Sequence, residues 1–454
     1  MHHITDQAIN PLDTKSHHCQ VLVIGGGPAG STVAARLAQK GRDVVLLEKD
    51  HHPRFHIGES LLPMNLPLFK ALGIDQQVQQ IGVMKYGAEF NIPEIPDKPR
   101  TYYFERALNT DTPPHAYEVR RSEFDHLLLK NCARLGTRVQ EGMKVIQVEL
   151  NHDQTRRVIA QDDTGKQHHY ETDFVIDASG RDTFLSRRLN LKQRNPAHNS
   201  AAIFGHFKGV TRRPGRDAGN ISIYWFEHGW FWMIPLRDGI MSVGAVCFPE
   251  YLKQRQCPPE EFLWQTLALC PPALERMKDA HCVGEVNATG NFSYISDSAH
   301  GPGYLLVGDA FTFVDPVFSS GVYIAMSSAF RAADAVDRCL QQPDKAPGIL
   351  KAYERSVRRA VKRFSWMIYR FNSPAMRHLF MAPRNALKME QAVISLLAGD
   401  VYRTTRVQWA LMAFKGIYHL SFIANLPRTL RFYLRRRRNA HLKFSGGTTP
   451  QDEG

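Results

Sequence analysis

The sequence predicts a mixed α/β (α+β) protein with a Rossmann-type domain, an interleaved antiparallel sheet and a helical C-terminal region. Three observations predict this fold class. An apolar strand, a glycine turn, a helix and a second strand follow one another between residues 19 and 50. Short strand-like segments recur over about 81–119 and 195–290, and beyond about residue 350 the pattern is helical and aromatic. A length of 454 residues, 43% of them hydrophobic, suits a folded chain of two or three domains.

The predicted organisation has three parts. Residues 1–18 are polar and His-rich and are expected to form a flexible arm, for which no functional metal site is expected. Residues 19–345 hold the nucleotide-binding domain with the interleaved sheet segments, and residues 346–454 form the helical region with its basic tail. Seven cysteines are scattered and never spaced CxxC, which argues against a disulfide framework and a structural zinc site. No signal-peptide pattern is visible at the start, so a cytoplasmic location is expected.

Charge is concentrated near the end of the chain. The formal net charge is +13. Residues 401–445, here called the basic tail, contain no Asp or Glu. Their ten cationic residues are Lys or Arg at 403, 406, 415, 428, 431, 435, 436, 437, 438 and 443. Such a segment favours an acidic partner or an anionic surface.

The first element is a β-α-β unit with a GxGxxG turn. The glycines permit a tight turn, close approach of the backbone to a pyrophosphate, and close packing of helix on strand. The helix N-terminus favours the negative charge, and an acidic residue ending the second strand can accept from ribose hydroxyls. The predicted dinucleotide-binding residues are Gly25, Gly27, Pro28, Ala29, Gly30 and Glu48.

Two later segments identify the dinucleotide. The strand VIDASGRD lies at 175–182, and GYLLVGDAF at 303–311 is an apolar strand leading to the start of a helix. Both resemble FAD fingerprints of the glutathione-reductase-type flavoproteins related to aromatic hydroxylases. The resemblance covers about residues 19–345 and implies an FAD cofactor, with Asp309 accepting from the ribityl chain and Arg121 beside the cofactor.

Three further features point beyond this shared scaffold. Gly229–Pro235 contains WxWxIP, with Trp230 and Trp232 on one face of a strand. The motif FxxPxxSxG follows the segment GYLLVGDAF and includes Pro316 and Ser319. Lys85 lies in the segment GVMKYGAEF. Taken singly, an aromatic strand is usually a packed core and a lone lysine is usually a surface group. Together they resemble the flavin-dependent halogenases, in particular the branch that acts on pyrroles and phenols.

The resemblance implies a chemistry for these residues. Reduced FAD, supplied by a separate flavin reductase, would convert chloride or bromide and dioxygen to a hypohalous acid. The amides of Ser320 and Gly321, at a helix start, would bind the halide. Lys85 would then hydrogen-bond the oxidant or form a haloamine, and either route gives an electrophilic halogen. The residues expected to separate flavin from substrate and to line the oxidant's path are Trp230, Trp232, Pro316 and Ser319.

One position departs from the family pattern. Tryptophan-acting members carry a Glu directly before the serine that matches Ser319, and here Phe318 occupies that place. The departure favours an electron-rich pyrrole or phenol as substrate, because such a ring loses its proton readily after attack. Glu59, in the GES segment before Lys85, is open to two interpretations: it takes part in the chemistry, or it only organises its loop.

The sequence of the basic tail is compatible with more than one kind of binding partner. LLAGDVY resembles the C-terminal helices of pyrrole halogenases that act on carrier-bound substrates, but the following basic, aromatic extension departs from them. The tail is interpreted as a solvated helix, a docking face for an acidic carrier protein, or a contact with an anionic membrane, and nucleic acid is not expected. The location would then be cytoplasmic, or peripheral to the inner face of the membrane. Rival functions are an FAD-dependent hydroxylase, a geranylgeranyl-reductase-like oxidoreductase, and a non-catalytic flavin-bearing membrane or scaffold protein.

Overall fold

The computed structural model describes residues 16–92, 99–150, 155–196, 198–290, 293–381, 386–403, 406–424 and 426–442. The first fifteen residues of the predicted arm and Lys443 of the basic tail lie outside these ranges. The strands are β1 (His17–Ile24), β2 (Val44–Leu47), β3 (Gly82–Lys85), β4 (Gly87–Asn91), β5 (Arg100–Tyr103), β6 (Ala116–Val119), β7 (Arg138–Gln140), β8 (Lys144–Glu149), β9 (Arg156–Gln161), β10 (Gln167–Asp177), β11 (Lys192–Arg194), β12 (Ala201–Lys208), β13 (Ile221–Phe226), β14 (Gly229–Pro235), β15 (Met241–Cys247), β16 (His281–Cys282), β17 (Asn287–Gly290), β18 (Tyr294–Ser296), β19 (His300–Gly301), β20 (Tyr304–Leu306) and β21 (Thr312–Phe313). The helices are α1 (Pro28–Gln39), α2 (Leu66–Leu72), α3 (Asp75–Ile81), α4 (Arg121–Arg134), α5 (Phe184–Arg188), α6 (Pro249–Leu252), α7 (Pro259–Leu267), α8 (Pro271–Arg276), α9 (Ser320–Gln341), α10 (Ala346–Ile368), α11 (Pro374–Met381), α12 (Met389–Leu397), α13 (Arg406–Ala424) and α14 (Leu426–Ala440).

A parallel sheet forms the nucleotide-binding half. Its order is β19-β20-β10-β1-β2-β7, and β9 and β8 extend it as an antiparallel meander from β10. The central strands are apolar runs buried on both faces, as expected for a parallel sheet covered by helices. In register, Ile24 lies beside Leu47 and Asp177, and Asp177 beside Leu306. The turns that follow these strands therefore emerge at one edge.

A second sheet carries the aromatic strands. Its order is β16-β12-β15-β14-β13-β4-β5, with β17 paired to β12. β4 and β5 come from the segment near residue 90, and β4 joins β13 in parallel. One face of this sheet packs its indole and phenyl rings against the C-terminal helices; Trp225, for example, lies 4.6 Å from Phe371 between ring centroids. The mixed α/β fold class is confirmed.

The structure differs from the sequence predictions at the start of β1 and at the Gly308–Asp309 turn. His17 and His18, assigned to the arm, begin β1 and pair with Tyr170 and Glu171, because β10 extends far enough to hold them. Gly308 and Asp309 enter a short 3-10 turn and not the start of a long helix, because α9 begins only at Ser320. Within the described ranges, no helix combines the length and apolarity that crossing a bilayer requires.

Candidate active site

A cavity of about 910 Å³ opens at the edge of the parallel sheet where its strands end. It extends from the glycine turn after β1 to the start of α9 and the inner face of β14. Among its lining residues are Gly25, Gly27, Pro28, Ala29, Glu48, Arg121, Trp230, Trp232, Asp309, Pro316, Ser319 and Gly321. Gly30, Ser320 and Lys85 do not line it; Ser320 and Lys85 are buried beside it.

Three glycines of the turn are needed, each for a different reason. Gly25 has φ +99°, a left-handed conformation that favours glycine. A Cβ on Gly30 would lie 1.8 Å from the Gly25 carbonyl oxygen, so Gly30 is required for packing. A Cβ on Gly27 would meet only Arg54 Nη2, at 3.8 Å, and would otherwise project into open space. Gly27 therefore leaves its backbone accessible to a ligand.

Glu48 is fixed in the cavity wall directly after β2. Its Oε2 accepts from the Gly26 N–H and its Oε1 accepts from the Asp50 N–H at 2.9 Å. These bonds hold a buried carboxylate beside the glycine turn, with acceptor capacity left for hydroxyl donors.

Arg54 is a functional candidate that the sequence argument missed. It lines the cavity over Gly27, and its Nε lies 3.4 Å from Asp50 Oδ2. A guanidinium next to accessible backbone amides at a helix N-terminus suits a diphosphate. No pattern around His-Pro-Arg-Phe marks this arginine in the sequence, because only the fold brings it over the turn.

Arg121 and Asp309 lie farther along the cavity. Arg121 forms a bidentate pair with Asp125, with distances of 2.7 and 2.9 Å, and donates to the Ile57 carbonyl at 2.6 Å. Burial raises the pKa of Asp309 to about 6, and Arg181 and Arg121 oppose this shift. The cavity wall thus carries two acidic groups, Glu48 and Asp309, together with the cations Arg54 and Arg121. An extended FAD, with its ribose, diphosphate and ribityl groups, fits this arrangement.

The loop before α9 is held by a buried carboxylate. Asp315 Oδ1 accepts from the Val317 N–H at 3.1 Å, and its Oδ2 accepts from His198 Nε2 and Ser200 Oγ, each at 2.8 Å. Ser319 follows with φ +53°, an uncommon conformation for a residue with a side chain. The 22-residue helix α9 then begins with its N-terminal amides beside the cavity. This end of α9 favours a small anion.

Two indoles form part of the opposite wall. Trp230 and Trp232 are buried on the same face of β14, with 5.9 Å between ring centroids. Trp232 Nε1 donates to Ser242 Oγ at 3.1 Å, which fixes the ring. Behind Trp230 lies an aromatic cluster that includes Phe318 and Phe371, whose centroids are 5.4 Å apart. Phe318 contributes no polar group to this wall.

Lys85 lies one side chain behind the cavity wall and is only 1% exposed. Its Nζ donates to Ser60 Oγ at 2.7 Å and to the Leu61 carbonyl at 3.1 Å, and Ser60 itself lines the cavity. Glu118 Oε1 is 3.8 Å from Nζ. Burial lowers the pKa of Lys85, partly offset by Glu118. Burial likewise raises the pKa of Glu118 to about 7, against the effect of Lys85.

Glu118 was not foreseen from the sequence. Lys85 pairs across the strands with Ala116, and Glu118 lies two residues farther along the same face of β6. An isolated bridge also pairs Ser60 with Glu118. A single acidic residue in the otherwise apolar strand AYEV was the available signal. The pairing of β3 with β6, which brings Glu118 next to Lys85, joins segments that are distant in sequence.

Glu59 has a definite structural role. Its Oε1 accepts from His206 Nε2 at 2.7 Å, which ties its loop to β12. Its Oε2 is buried without a hydrogen-bond partner among the described residues. The loop-organising interpretation is therefore supported by a contact, while one oxygen still has acceptor capacity beside the cavity.

Comparisons with known proteins agree with this geometry. Residues 18–365 match the family model described as an FAD binding domain. A 1H-pyrrole-2-carbonyl-[peptidyl-carrier protein] chlorinase of Pseudomonas fluorescens is 29% identical over 86% of this chain and 91% of its own length. The corresponding brominase of Pseudoalteromonas luteoviolacea is 31% identical over 71% of this chain and 78% of its own length.

Solved structures extend the likeness. The myxobacterial chondrochloren halogenase, an FAD-dependent halogenase, superposes with a TM-score of 0.75 at 31% identity, covering 90% of this chain and 97% of that one. A flavoprotein/dehydrogenase from Cytophaga hutchinsonii superposes with a TM-score of 0.82 at 26% identity, covering 90% of this chain and 100% of that one.

Proposed function

This chain belongs to the flavin-dependent halogenases, and from that premise we propose that Lys85 carries the halogen to an electron-rich aromatic ring. The observation that carries the proposal is a buried primary amine next to a buried carboxylate, one side chain behind the cofactor cavity. A structural lysine would normally keep its ammonium in water. This one is withdrawn from water and is placed beside the cavity.

The cavity residues would hold FAD in an order set by their chemistry. The glycine turn and Arg54 would bind the diphosphate, Glu48 the adenosine ribose, and Asp309 the ribityl chain, with Arg121 bracing the wall. Bound and reduced, FAD supplies the electrons with which dioxygen and halide give a hypohalous acid. The amides of Ser320 and Gly321 would hold the halide at the start of α9. Trp230 and Trp232 would keep the aromatic substrate away from the flavin.

Lys85 acts as an amine in this proposal. Attack of its nitrogen on hypohalous acid forms a nitrogen–halogen bond and releases water. Attack by the aromatic ring on that halogen breaks the nitrogen–halogen bond, and the proton that the ring then loses ends on the nitrogen and restores the amine. The lowered pKa of Lys85 supports this route over polarisation of the oxidant by an ammonium, because only the neutral amine has a free electron pair. Glu118, 3.8 Å away, would take up the proton that Lys85 gives up on becoming an amine.

The substrate is proposed to be a pyrrole or phenol, either free or attached to a carrier protein. Phe318 supports an electron-rich ring, because it places no acid or base at the position where tryptophan-acting members carry Glu. The two pyrrole-acting relatives support the carrier-bound form, since their names specify a pyrrole-2-carbonyl group on a peptidyl-carrier protein. A separate flavin reductase would supply reduced FAD.

The test supplies reduced FAD, dioxygen and bromide or chloride to wild type and to Lys85→Ala, with phenols and carrier-bound pyrroles as substrates. Product mass, dioxygen uptake and reduced-FAD oxidation are followed together. We expect wild type to give halogenated product, and Lys85→Ala to keep the halide-dependent oxidation with product reduced at least a hundredfold. Undiminished halogenation by Lys85→Ala would refute the lysine route. Hydroxylated product without a halide requirement would instead identify a hydroxylase.

A further inference from the structure

Helix α13 is apolar on two opposite faces. One face packs against the protein through residues that are at most 7% exposed, namely Val407, Ala410, Phe414 and Tyr418. The other face carries large apolar side chains that are 58–72% exposed, namely Trp409, Met412, Leu420 and Ile423. A helix that is apolar on both faces is expected to have an apolar surrounding on each. The part of the chain that the structure describes supplies only one of them.

Helix α14 continues the exposed apolar row. Leu426, Leu430 and Leu434 recur every fourth residue and are 48–60% exposed. The hydroxyls of Tyr418 and Tyr433 lie 2.9 Å apart and join the two helices. We call the seven exposed side chains of α13 and α14 the outer apolar row. Contiguous apolar surface of this kind on a soluble protein marks an interaction site.

The arginines of α14 divide into two groups. Arg435 and Arg438 both contact Glu250, Arg435 Nη2 also lies 2.9 Å from His228 Nδ1, and Arg436 donates to the Tyr369 carbonyl. These three anchor the helix to the protein. Three other arginines of α14, Arg428, Arg431 and Arg437, are exposed and make none of these contacts.

We propose that the outer apolar row and its three exposed arginines bind the surface of an anionic phospholipid membrane. Aliphatic side chains and a Trp alternating with arginines are typical of helices that lie in the interface, where the apolar groups enter the acyl boundary and the cations meet phosphate. Neither helix is long and apolar enough to cross, so both would lie along the surface.

Charge and composition favour this occupant over two others. A second copy of the chain would bring another segment free of Asp and Glu against this one, and like charges would oppose the contact. An acidic carrier would satisfy the arginines, but leucine is under-represented among the residues that dominate protein–protein binding. Four leucines and an isoleucine in the row fit acyl chains better.

The test measures sedimentation of the full-length protein with vesicles of phosphatidylcholine, with and without phosphatidylglycerol. One variant replaces Leu420, Leu430 and Leu434 by Ser; a second replaces Arg428, Arg431 and Arg437 by Ser. The matched charge control replaces exposed Lys130, Lys166 and Lys253 by Ser. Halogenation of a water-soluble substrate checks that each variant folds, because none of these residues lines the cavity.

We expect wild type to bind the anionic vesicles at least tenfold more tightly than the neutral ones. Each exposed arginine should account for about fivefold in affinity, so the arginine variant should lose most binding while the lysine control keeps it. The leucine variant should lose binding at every lipid composition. Absence of wild-type binding would overturn the proposal. So would a dimer or a complex with an acidic carrier that the leucine variant abolishes while vesicle binding is absent.

Discussion

Lys85 Nζ lies 3.8 Å from Glu118 Oε1, and both side chains are sealed from solvent. Burial pushes the pKa of the amine down and that of the carboxyl up to about 7, so each shift favours the uncharged form of its group. The pair can therefore exchange one proton between two buried sites. This relationship links the fold to the proposed chemistry.

Replacing Glu118 by Gln removes the charge of the side chain and keeps its shape, so the variant tests the role of the charge. The Glu118 charge raises the pKa of Lys85. Removing this charge should therefore shift the rising limb of the pH–rate profile for halogenation to lower pH by about one unit. The maximal rate should fall about tenfold because the proton acceptor is lost. Steady-state rates across pH check both effects. Exposed Glu105→Gln is the matched control, and an unshifted profile for Glu118→Gln would contradict the coupling.

The same carboxyl should make folding pH-dependent. Because the folded pKa of Glu118 is raised from 4.5 to about 7, its protonation favours the folded state. This stabilisation is fully present below pH 4.5 and is lost as pH rises through 7, amounting to about 3 kcal/mol at most. Urea unfolding across pH should show that Glu118→Gln lacks this part of the decline. Identical pH dependence in both proteins would show that Glu118 titrates normally.

Asp315→Asn should weaken halide use more than FAD binding. The carboxylate accepts three hydrogen bonds that hold the loop before Ser319 and the start of α9. An amide cannot accept all three in the same way, so stability should fall by about 1–3 kcal/mol. The apparent KM for bromide should rise about tenfold, with the FAD Kd changed less than threefold. Ser200→Ala, which removes one donor, should give a smaller change in the same direction.

Gly27→Ala should weaken FAD binding, whereas Gly30→Ala should destabilise the fold. At Gly27 the new methyl would meet only Arg54, so folding is preserved, but the methyl would obstruct the backbone's approach to the diphosphate. We expect the FAD Kd to rise at least tenfold with the apoprotein Tm unchanged. At Gly30 the methyl would overlap the Gly25 carbonyl, so the apoprotein Tm should fall. FAD titration and thermal melts of the apoproteins distinguish the two variants. An equal fall in apoprotein Tm for both variants would contradict the different roles assigned to the two glycines.

Trp232→Leu should reduce the yield of halogenated product for each reduced FAD oxidised. The change removes the hydrogen bond to Ser242 Oγ and opens part of the wall between cavity and aromatic cluster. We expect the ratio of product to oxidised FAD to fall severalfold, with hydrogen peroxide accounting for the difference. Trp264→Leu, on α7 away from the cavity, serves as the matched control. An unchanged ratio would show that Trp232 is only a packing residue.

The sequence alone determined the fold class, the β-α-β unit and a dinucleotide site, because strand periodicity and the glycine turn are local properties of the chain. That the dinucleotide is FAD followed from the resemblance of two later segments to flavoprotein fingerprints. Gly25, Glu48 and Asp309 could be placed on one cavity since parallel strands end at a common edge. Glu118, Arg54 and Asp315 acquired roles only in the tertiary structure, because strand pairing and loop packing bring them to partners distant in sequence. The same reason applies to the basic tail: its composition is readable, but only packing shows that Arg435, Arg436 and Arg438 bind the protein itself while the neighbouring leucines face outward.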